Sequence, residues 1–413
     1  KNRRKGCNFA WEQCKLGDVF SFLKNSTLSR SELNYESGKF KYIHYGDILT
    51  KFGDITDTCN FSVPFVTTPE KVIKLEKYFL QNGDVIIADT AEDSMVGKVT
   101  EIQNSDPFPT VSGLHTIPVR PNKEFAAGFL GHYMNAPFYH DQLFKLMQGV
   151  KVLSLSKNAV IQTKINSPSY CEQNLISRTI DLIDGTITLH EEKKQQLERL
   201  KSALSQKIFA DKSGYPAVRF EGFGGKWDQC KLGNVGTFRG GFGFPENEQG
   251  NIDGIAFYKV SDMNDSCNTL TMRKASNYVT SSQISKNKWK PILKQNIIFA
   301  KVGAAVYLER KRKAMGPFLL DNNMMAFQPK DADIDYIYYV FQRLRISKHA
   351  QVGTLPSLNA SELRNIAIYI PSLNEQKAVA DLMVSLDHTI ILYDFKLELL
   401  KKLKGSLLQR MFI

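Results

Sequence analysis

Three short segments carry residue types that are used in nucleotide or base chemistry. Gly-Lys pairs begin at Gly38, Gly97 and Gly225, but Phe, Val and Trp follow them, where a phosphate-binding P-loop requires Ser or Thr. Residues 220–224 (FEGFG) fit a methyltransferase cofactor loop, although no predicted strand precedes them. The chain has no Pro-Pro dipeptide to grip a flipped base, and residues 106–108 (DPF) are only a partial echo of one. These patterns argue against a nucleotide-hydrolysing or base-methylating site.

The cysteines and histidines are spread along the chain rather than clustered. The six cysteines form no C-x-x-C pair and the seven histidines form no H-E-x-x-H, so the sequence predicts no metal site. No G-x-S-x-G nucleophile motif is present either. Scattered thiols are typical of a reducing compartment, and no apolar run of about 18 residues predicts a membrane span. We expect a cytoplasmic protein that binds a partner and does not catalyse a reaction; the alternative is an enzyme with an unfamiliar site.

The charge balance indicates a polyanionic partner. Lys and Arg number 54 against 42 Asp and Glu, and the resulting net charge of +12 favours nucleic acid. Reading a DNA sequence requires groups that reach base edges, and affinity requires cations that neutralise phosphates. In the first half of the chain, the candidates for DNA contact are Lys39, Lys41, Tyr42, Tyr45, Lys98 and Arg120. For every candidate in either half, the alternative is a solvated surface or turn residue.

The second half offers two basic segments and a pair of amides. Residues 239–243 (RGGFG) are predicted to form a flexible loop, and residues 310–313 (RKRK) a loop or hairpin tip. Two asparagines follow Asp321, and Asn is a suitable bidentate partner for adenine. The candidates for DNA contact in this half are Arg239, Lys259, Lys301, Arg310, Lys311, Arg312, Lys313, Asn322 and Asn323.

The chain contains an internal repeat whose ends are similar and whose middles differ. Residues 11–20 (WEQCKLGDVF) and 227–236 (WDQCKLGNVG) share seven of ten positions. Residues 168–209 and 371–412 match at a constant offset of 203, which pairs Asp184 with Asp387. Shared structural requirements would keep the ends alike, while different ligands would allow the middles to diverge. A duplicated domain that has simply drifted is the alternative.

Each half ends in a segment with the pattern of a long helix. Residues 172–210 and 375–412 contain no proline, and their apolar residues alternate spacings of four and three, as in a coiled-coil seam. A helix of about 39 residues is about 58 Å long. We expect the two seams to pair antiparallel; the alternative is that each docks a separate partner. The seam residues are Ile176, Ile180, Ile183, Ile187, Leu197 and Leu204 in the first helix, and Val379, Met383, Leu386, Ile390, Leu397, Leu400 and Leu407 in the second.

The blocks before the helices are predicted to be mixed α/β domains. Strand-like runs lie at residues 42–43, 84–88, 115–119, 255–260, 297–300 and 366–370, and helical patterns at 126–146 and 336–347. The predicted fold class is α/β (α+β): two mixed domains alternate with two long helices in a pseudo-twofold repeat. The predicted boundaries are 1–171 for the first domain, 172–211 for the first helix, 212–226 for a linker, 227–374 for the second domain and 375–413 for the second helix.

Short motifs mark the start and the end of each half. The starts read W-[ED]-Q-C-K-L-G from Trp11 and Trp227, and residues 219–223 (RFEGF) precede the second start. The ends read P-x-x-x-E-Q from Pro168 and Pro371, followed by L-x-x-L-K at residues 197–201 and 400–404. The order of these motifs over nearly the whole chain resembles the specificity subunit of type I restriction–modification systems.

This resemblance implies a function in DNA recognition. Each variable block would be a target recognition domain for one half of a bipartite site in double-stranded DNA, and the antiparallel helices would set the spacer between the halves. The helices would also dock two modification subunits that carry S-adenosylmethionine and methylate adenine at N6. Restriction (translocase) subunits with ATP and Mg²⁺ would join them. This chain would bind no cofactor and no membrane. A stand-alone DNA-binding regulator with a coiled-coil scaffold is the alternative.

One segment departs from the family pattern. At offset 216, Arg3-Arg4 stands where the second half has Arg219-Phe220, so the residues before Trp11 do not match the family opening. We expect an N-terminus that is truncated or recombined.

Overall fold

The chain divides into two compact units that each contain part of both long helices. The computed structural model describes residues 11–92, 95–149, 151–351 and 355–412. Unit 1 comprises residues 1–191 and 395–413, and unit 2 comprises residues 192–394. The departure at Arg3-Arg4 lies outside the described residues.

Unit 1 is a mixed α/β domain that leads into the first long helix. Its strands are β1 (Glu12–Lys15), β2 (Phe20–Phe22), β3 (Leu33–Asn34), β4 (Lys41–Ile43), β5 (Ile55–Asp57), β6 (Phe65–Val66), β7 (Val85–Ala88), β8 (Thr90–Ala91), β9 (Val99–Gln103), β10 (Thr110–Ser112), β11 (Thr116–Pro121), β12 (Leu153–Ser154) and β13 (Lys164–Ser167). Its helices are α1 (Leu16–Val19), α2 (Tyr45–Thr50), α3 (Glu70–Ile73), α4 (Phe129–Asn135), α5 (Pro137–Phe144), α6 (Lys157–Ile161) and the start of α7 (Tyr170–Lys207).

Unit 2 has a similar inventory. Its strands are β14 (Asp228–Lys231), β15 (Gly236–Gly240), β16 (Ile255–Tyr258), β17 (Thr271–Met272), β18 (Tyr278–Val279), β19 (Asn296–Ala300), β20 (Lys311–Ala314), β21 (Phe318–Leu320), β22 (Met324–Pro329), β23 (Ala350–Gln351), β24 (Ser357–Leu358) and β25 (Ala367–Ile370). Its helices are α8 (Leu232–Val235), α9 (Ser281–Lys286), α10 (Ile334–Arg343), α11 (Ala360–Arg364) and the start of α12 (Leu373–Met411).

The two units share one sheet topology. The main sheet has the order β2-β11-β7-β9-β5 in unit 1 and β15-β22-β19-β20-β17 in unit 2. In both, the last strand runs parallel to its neighbour and the other pairings are antiparallel. A second sheet places β4 between β10 and β6, and β16 between β21 and β18. The variable middles of the repeat therefore share this topology although their sequences have diverged, and unit 1 adds β3 beside β6 in the second sheet.

Each main sheet is buried on both faces. In β7, Val85 and Ile87 belong to the core that contains α4, whereas Ile86 and Ala88 belong to the core that contains Ile48 of α2. This division follows from the alternation of side chains along a strand. The α4 core also takes in Ile176 and Ile180 of α7 and Phe412 just after α12. Unit 2 repeats the arrangement with α10, α12 and Phe209, the residue 203 positions before Phe412.

One predicted helix is two helices. The pattern at residues 126–146 predicted a single helix. The helix is interrupted at Ala136, which has extended backbone angles, and α5 begins with Pro137. The residue before a proline is pushed out of the helical region, so the break has a local cause.

Candidate nucleic-acid interface and helix pair

Burial corrects the assignment of Lys41 and Tyr42 as DNA contacts. Both side chains lie in the interior, at 1% and 0% exposure. The Lys41 ammonium donates to the Asn60 carbonyl at 2.9 Å, and the Tyr42 hydroxyl donates to the Leu28 carbonyl at 2.8 Å. Burial lowers the pKa of Lys41. Neither side chain can reach DNA from this position.

Lys98 and Arg120 are half-buried and bound within unit 1. Lys98 donates to the carbonyls of Leu49 and Phe52 at 3.2 and 3.0 Å, and burial lowers its pKa. Arg120 forms a bidentate pair with the buried Asp84 at 2.8 and 2.7 Å. Lys98 thus contacts the end of α2 and the segment after it, and Arg120 contacts the residue directly before β7.

Two candidates of the first half remain at the surface. Lys39 is exposed, just before β4, and its ammonium lies 5.5 Å from the centre of the Phe40 ring. Tyr45 is half-buried at the start of α2. Its ring stacks on His44 at 4.8 Å and meets the edge of His115 at 5.3 Å. The three rings form a small polar aromatic cluster at the surface of unit 1.

The basic run at residues 310–313 is not a loop tip, which corrects a second prediction. Residues 311–314 form β20, which pairs with both β19 and β17 inside the main sheet. Lys311 is 1% exposed and donates to Glu309 and to the Leu344 carbonyl. Lys313 pairs with Asp335, and Arg312 donates to the Asn268 carbonyl at 2.6 Å. Only Arg310 precedes the strand, and it donates to the Asn264 side chain.

The remaining candidates of unit 2 lie at or near the surface. Arg239 belongs to β15 rather than to a flexible loop, it donates to the Lys290 carbonyl, and burial lowers its pKa. Lys259 is half-buried and donates to the Gln249 side chain at 3.0 Å, and Lys301 is half-buried after β19. Asn322 and Asn323 are exposed in the turn between β21 and β22.

The long helices run antiparallel in each unit, joined by lysine–carboxylate pairs. In unit 1, Lys404 and Lys401 of α12 bind Asp184 and Glu191 of α7, both at 2.7 Å. In unit 2, Lys201 and Lys194 of α7 bind Asp387 and Asp394 of α12. As the residue number rises on one helix it falls on the other, which is the antiparallel direction. Asp184–Lys404 and Asp387–Lys201 are related by the sequence offset of 203.

The predicted seam residues are packed to different degrees. Ile176, Ile180, Ile187, Val379, Met383, Leu386 and Leu397 are buried, and Ile183, Leu197, Leu204, Ile390, Leu400 and Leu407 are half-buried. In unit 2, Leu197 and Leu204 of α7 pack against a core that contains Val379, Met383 and α10. The seam therefore faces a domain core as well as the opposite helix.

A charged network around His132 ties the domain of unit 1 to its helices. The His132 ring bonds Asp54 and Asp181, both at 2.9 Å. Burial alone would lower the pKa of His132, but the bonds to Asp181 and Asp54 outweigh it and raise the pKa to about 9. The side-chain atoms of Asp54, His132 and Asp184 that are able to bind a metal ion lie within 4.8 Å of one another. The Lys404 ammonium contacts both aspartates. The Lys404 ammonium and the protonated His132 ring thus balance the charge of these carboxylates.

In each unit, a tryptophan at the start of the repeat contacts a glutamate near the start of a long helix. The indole of Trp11 donates to Glu172 at 3.3 Å, and the indole of Trp227 donates to Glu375 at 3.2 Å. Arg219 adds a bidentate pair with Glu375 at 2.7 and 2.8 Å. These contacts give a physical reason why the repeated motifs keep Trp and Glu.

Comparison with known proteins decides the family. The model of the type I restriction modification DNA specificity domain matches residues 8–199 and again residues 224–402. The chain belongs to this family. As a type I specificity subunit, it contains two copies of the DNA specificity domain, which correspond to the two repeated halves. The match covers most of the chain, and the antiparallel helix pair and mixed α/β domains agree with the fold expected from the resemblance.

Individual relatives of this specificity subunit are distant in sequence. A putative type I restriction enzyme MjaX specificity subunit from Methanocaldococcus jannaschii is 21% identical over 96% of this chain and 92% of its own length. The StySPI specificity subunit from Salmonella potsdam is 23% identical, and the EcoKI specificity subunit from Escherichia coli K12 is 25% identical, each over 47% of this chain and 41% of its own length.

Solved structures show the same fold. The S subunit of a type I restriction-modification system from M. genitalium superposes with a TM-score of 0.60 at 14% identity, covering 100% of this chain and 98% of its own. A chain from a structure of type I complex assembly and conformational transition gives 0.53 at 18% identity, covering 98% and 97%.

Among the described residues, no helix combines the length and the apolar character that a membrane span requires.

Proposed function

We propose that this specificity subunit reads a bipartite double-stranded DNA target, with one half-site bound by each unit. The observation that carries the proposal is the repetition of one sheet topology in two units whose middle sequences differ. Common topology would place both readers in the same orientation on their helices, and different surface residues would give each its own half-site. The net charge of +12 favours the phosphate backbone as ligand. Linking two weak readers raises their combined affinity.

The helix pair is proposed to set the spacer between the half-sites. Both α7 and α12 are continuous helices, of 38 and 39 residues. Adding one heptad to each helix, after Glu191 and after Asp394, keeps the pairs Asp184–Lys404 and Lys201–Asp387 within their own units. Such an insertion lengthens each helix by about 10 Å, or about three base pairs of DNA.

The insertion experiment tests the spacer directly. We expect the methylated motif of the complex to gain up to about three non-specific base pairs while both half-sites stay unchanged. The matched control replaces an existing heptad at the same place with another heptad, so the helix keeps its length. The methylated motif of this control should keep the spacer of the wild type. A changed half-site sequence in the insertion variant would contradict the proposal.

Partner subunits are proposed to supply the chemistry. Two modification subunits would bind S-adenosylmethionine and methylate adenine at N6, and restriction subunits would use ATP and Mg²⁺. This chain would contribute specificity and no catalytic group. The outer face of α7 in unit 1 supports docking, because Leu175, Leu182 and Leu189 repeat every seven residues and are 66%, 73% and 64% exposed. A heptad stripe of this kind suits an apolar helix of a partner.

Introducing a negative charge into this stripe tests the docking face. We expect Leu182→Glu to weaken co-purification with a modification subunit at least tenfold while the free chain keeps its melting temperature. The matched control is Thr188→Glu, which introduces the same charge at an exposed position of α7 outside the leucine stripe. Equal capture by the two variants would exclude the stripe from the interface.

A further inference from the structure

Two loops occupy equivalent places in the two units. In unit 1, residues 58–64 connect β5, the edge strand parallel to β9, with β6. In unit 2, residues 273–277 connect β17, the edge strand parallel to β20, with β18. The shared topology makes these loops counterparts, so their differences can be compared directly.

The loop of unit 1 holds an exposed aromatic ring on a braced backbone. The side chain of Phe61 is 90% exposed, the highest value among the large apolar residues that the structure describes. Below it, the buried Lys41 binds the Asn60 carbonyl at 2.9 Å, and the Thr58 hydroxyl binds the Asn104 carbonyl at 2.6 Å. The Asn60 side chain accepts from Ser62 N at 2.9 Å.

The loop of unit 2 is braced by a different buried side chain and presents cations. Asn268, at 0% exposure, accepts from the backbone N–H groups of Arg273 and Lys274 at 2.7 and 3.1 Å and donates to the Lys274 carbonyl at 2.8 Å. Asp262 accepts from the backbone and the hydroxyl of Ser276 at 3.0 and 2.6 Å. The side chains of Arg273 and Lys274 are exposed.

Burying polar groups to fix a loop has a free-energy cost that a purely structural turn does not require. A lysine taken from water loses hydration, and burial lowers the pKa of Lys41, so the bond to Asn60 must offset that loss. A fixed backbone is useful where a side chain must meet a ligand with little loss of conformational entropy. Both loops have such a backbone, yet one presents an aromatic ring and the other presents two cations.

We propose that these two loops contact DNA within the two half-sites, Phe61 through its ring against bases and Arg273 with Lys274 against guanine edges or phosphates. This inference rests on the proposed function. An exposed aromatic ring can stack on bases or contact the thymine methyl group. Arginine and lysine are the usual partners of guanine and phosphate. Lys41 and Asn268 act as positioning residues, which gives Lys41 a role in recognition although it lies in the interior.

The test uses the full chain co-expressed with its modification subunits. The wild-type complex is first mapped for N6-methyladenine, which yields the motif, and its affinity for that motif is measured by fluorescence anisotropy. Phe61→Ala is compared with Ile73→Ala, which truncates another exposed apolar residue of unit 1. The double variant Arg273→Ala/Lys274→Ala is compared with Lys231→Ala, which removes an exposed lysine of unit 2.

We expect Phe61→Ala to weaken binding about tenfold and to relax base preference in one half-site only, a loss typical for one aromatic–base contact. The double variant should affect the other half-site and reduce the salt dependence of binding. Lys41→Met should relax the same half-site as Phe61→Ala, which a simple loss of stability would not do. The two controls should bind as the wild type does.

Two results would overturn the inference. The first is unchanged affinity and an unchanged motif in both loop variants. The second is an equal effect of either variant on both half-sites, because that would indicate damage to folding or assembly. A wild-type complex without a bipartite motif would instead contradict the proposed function, and it would be seen before any variant is made.

Discussion

Lys201 of α7 donates a hydrogen bond to Asp387 of α12 and so joins the two long helices inside unit 2. The hydroxyl of Tyr339 binds the other carboxylate oxygen at 2.7 Å, so Asp387, at 5% exposure, also connects the helices to α10. In unit 1, Lys404 binds Asp184 in the same way, and His132 of α4 binds Asp181 one helical turn earlier. Each unit thus fastens its domain to its helices through a polar junction, in which Asp387 is buried in unit 2 and His132 is buried in unit 1.

Removal of Asp387 should destabilise unit 2. Asp387→Ala leaves the Lys201 ammonium and the Tyr339 hydroxyl without their acceptor, and we expect a loss of about 2 kcal/mol in the free energy of unfolding. Urea unfolding of the purified chain measures this loss. The control is Asp381→Ala, which removes an exposed carboxylate from the same helix. Similar urea midpoints for Asp387→Ala and Asp381→Ala would show that the contacts of Asp387 do not contribute to the stability of unit 2.

The stability of unit 1 should fall at alkaline pH. The pKa of His132 is raised to about 9 by its hydrogen bonds to Asp181 and Asp54, which outweigh the effect of burial. The folded state therefore holds this proton more tightly than the unfolded state, whose histidine has a pKa of about 6.5. The stabilisation is fully present below about pH 6.5 and is lost as pH rises through about 9, and it amounts to on the order of 3 kcal/mol.

His132→Gln provides the control for this pH dependence. Glutamine keeps hydrogen-bonding capacity but has no proton to lose in this range. We expect the melting temperature of the wild type to fall between pH 6.5 and 9 and that of the variant to change much less. Parallel curves for the two proteins would assign the pH dependence to other groups.

Lys311 should matter for stability and not for the electrostatics of DNA binding. Lys311→Met removes a buried ammonium from Glu309 and from the Leu344 carbonyl, and we expect a loss of about 2 kcal/mol in the free energy of unfolding. The salt dependence of DNA binding should stay as in the wild type, because a buried cation displaces no counterions from DNA. The double variant Lys311→Met/Glu309→Gln should recover part of the lost stability. A reduced salt dependence of DNA binding in Lys311→Met would indicate that Lys311 contacts DNA.

The sequence predicted the elements whose signal is local. The heptad pattern predicted both long helices, and α7 and α12 begin and end within three residues of the helical segments predicted at 172–210 and 375–412. The predicted strands at residues 84–88 and 297–300 correspond to β7 and β19, since a short apolar run between turn residues is typical of a buried strand. The repeat also indicated the pairing of Asp184 with Asp387 as equivalent positions.

The sequence could not predict which basic residues reach the solvent. Lys41 and Lys311 both lie in strands of the interior, and their hydrogen-bond partners are the loop carbonyl of Asn60 and the carbonyl of Leu344, just after α10. Lysine in a sequence reads as a surface charge because it is seldom buried. The exposed Phe61 was missed for the opposite reason, since an isolated Phe between polar residues reads as a core residue. Only the fold shows which face of the chain each of them occupies.

The most direct test of the account is a map of N6-methyladenine in a host that expresses this chain with a modification subunit. We expect a bipartite motif, with two specified half-sites and a non-specific spacer, that disappears when this chain is omitted. Methylation at one contiguous motif, or no new methylation from a complex that is intact and stable, would contradict it.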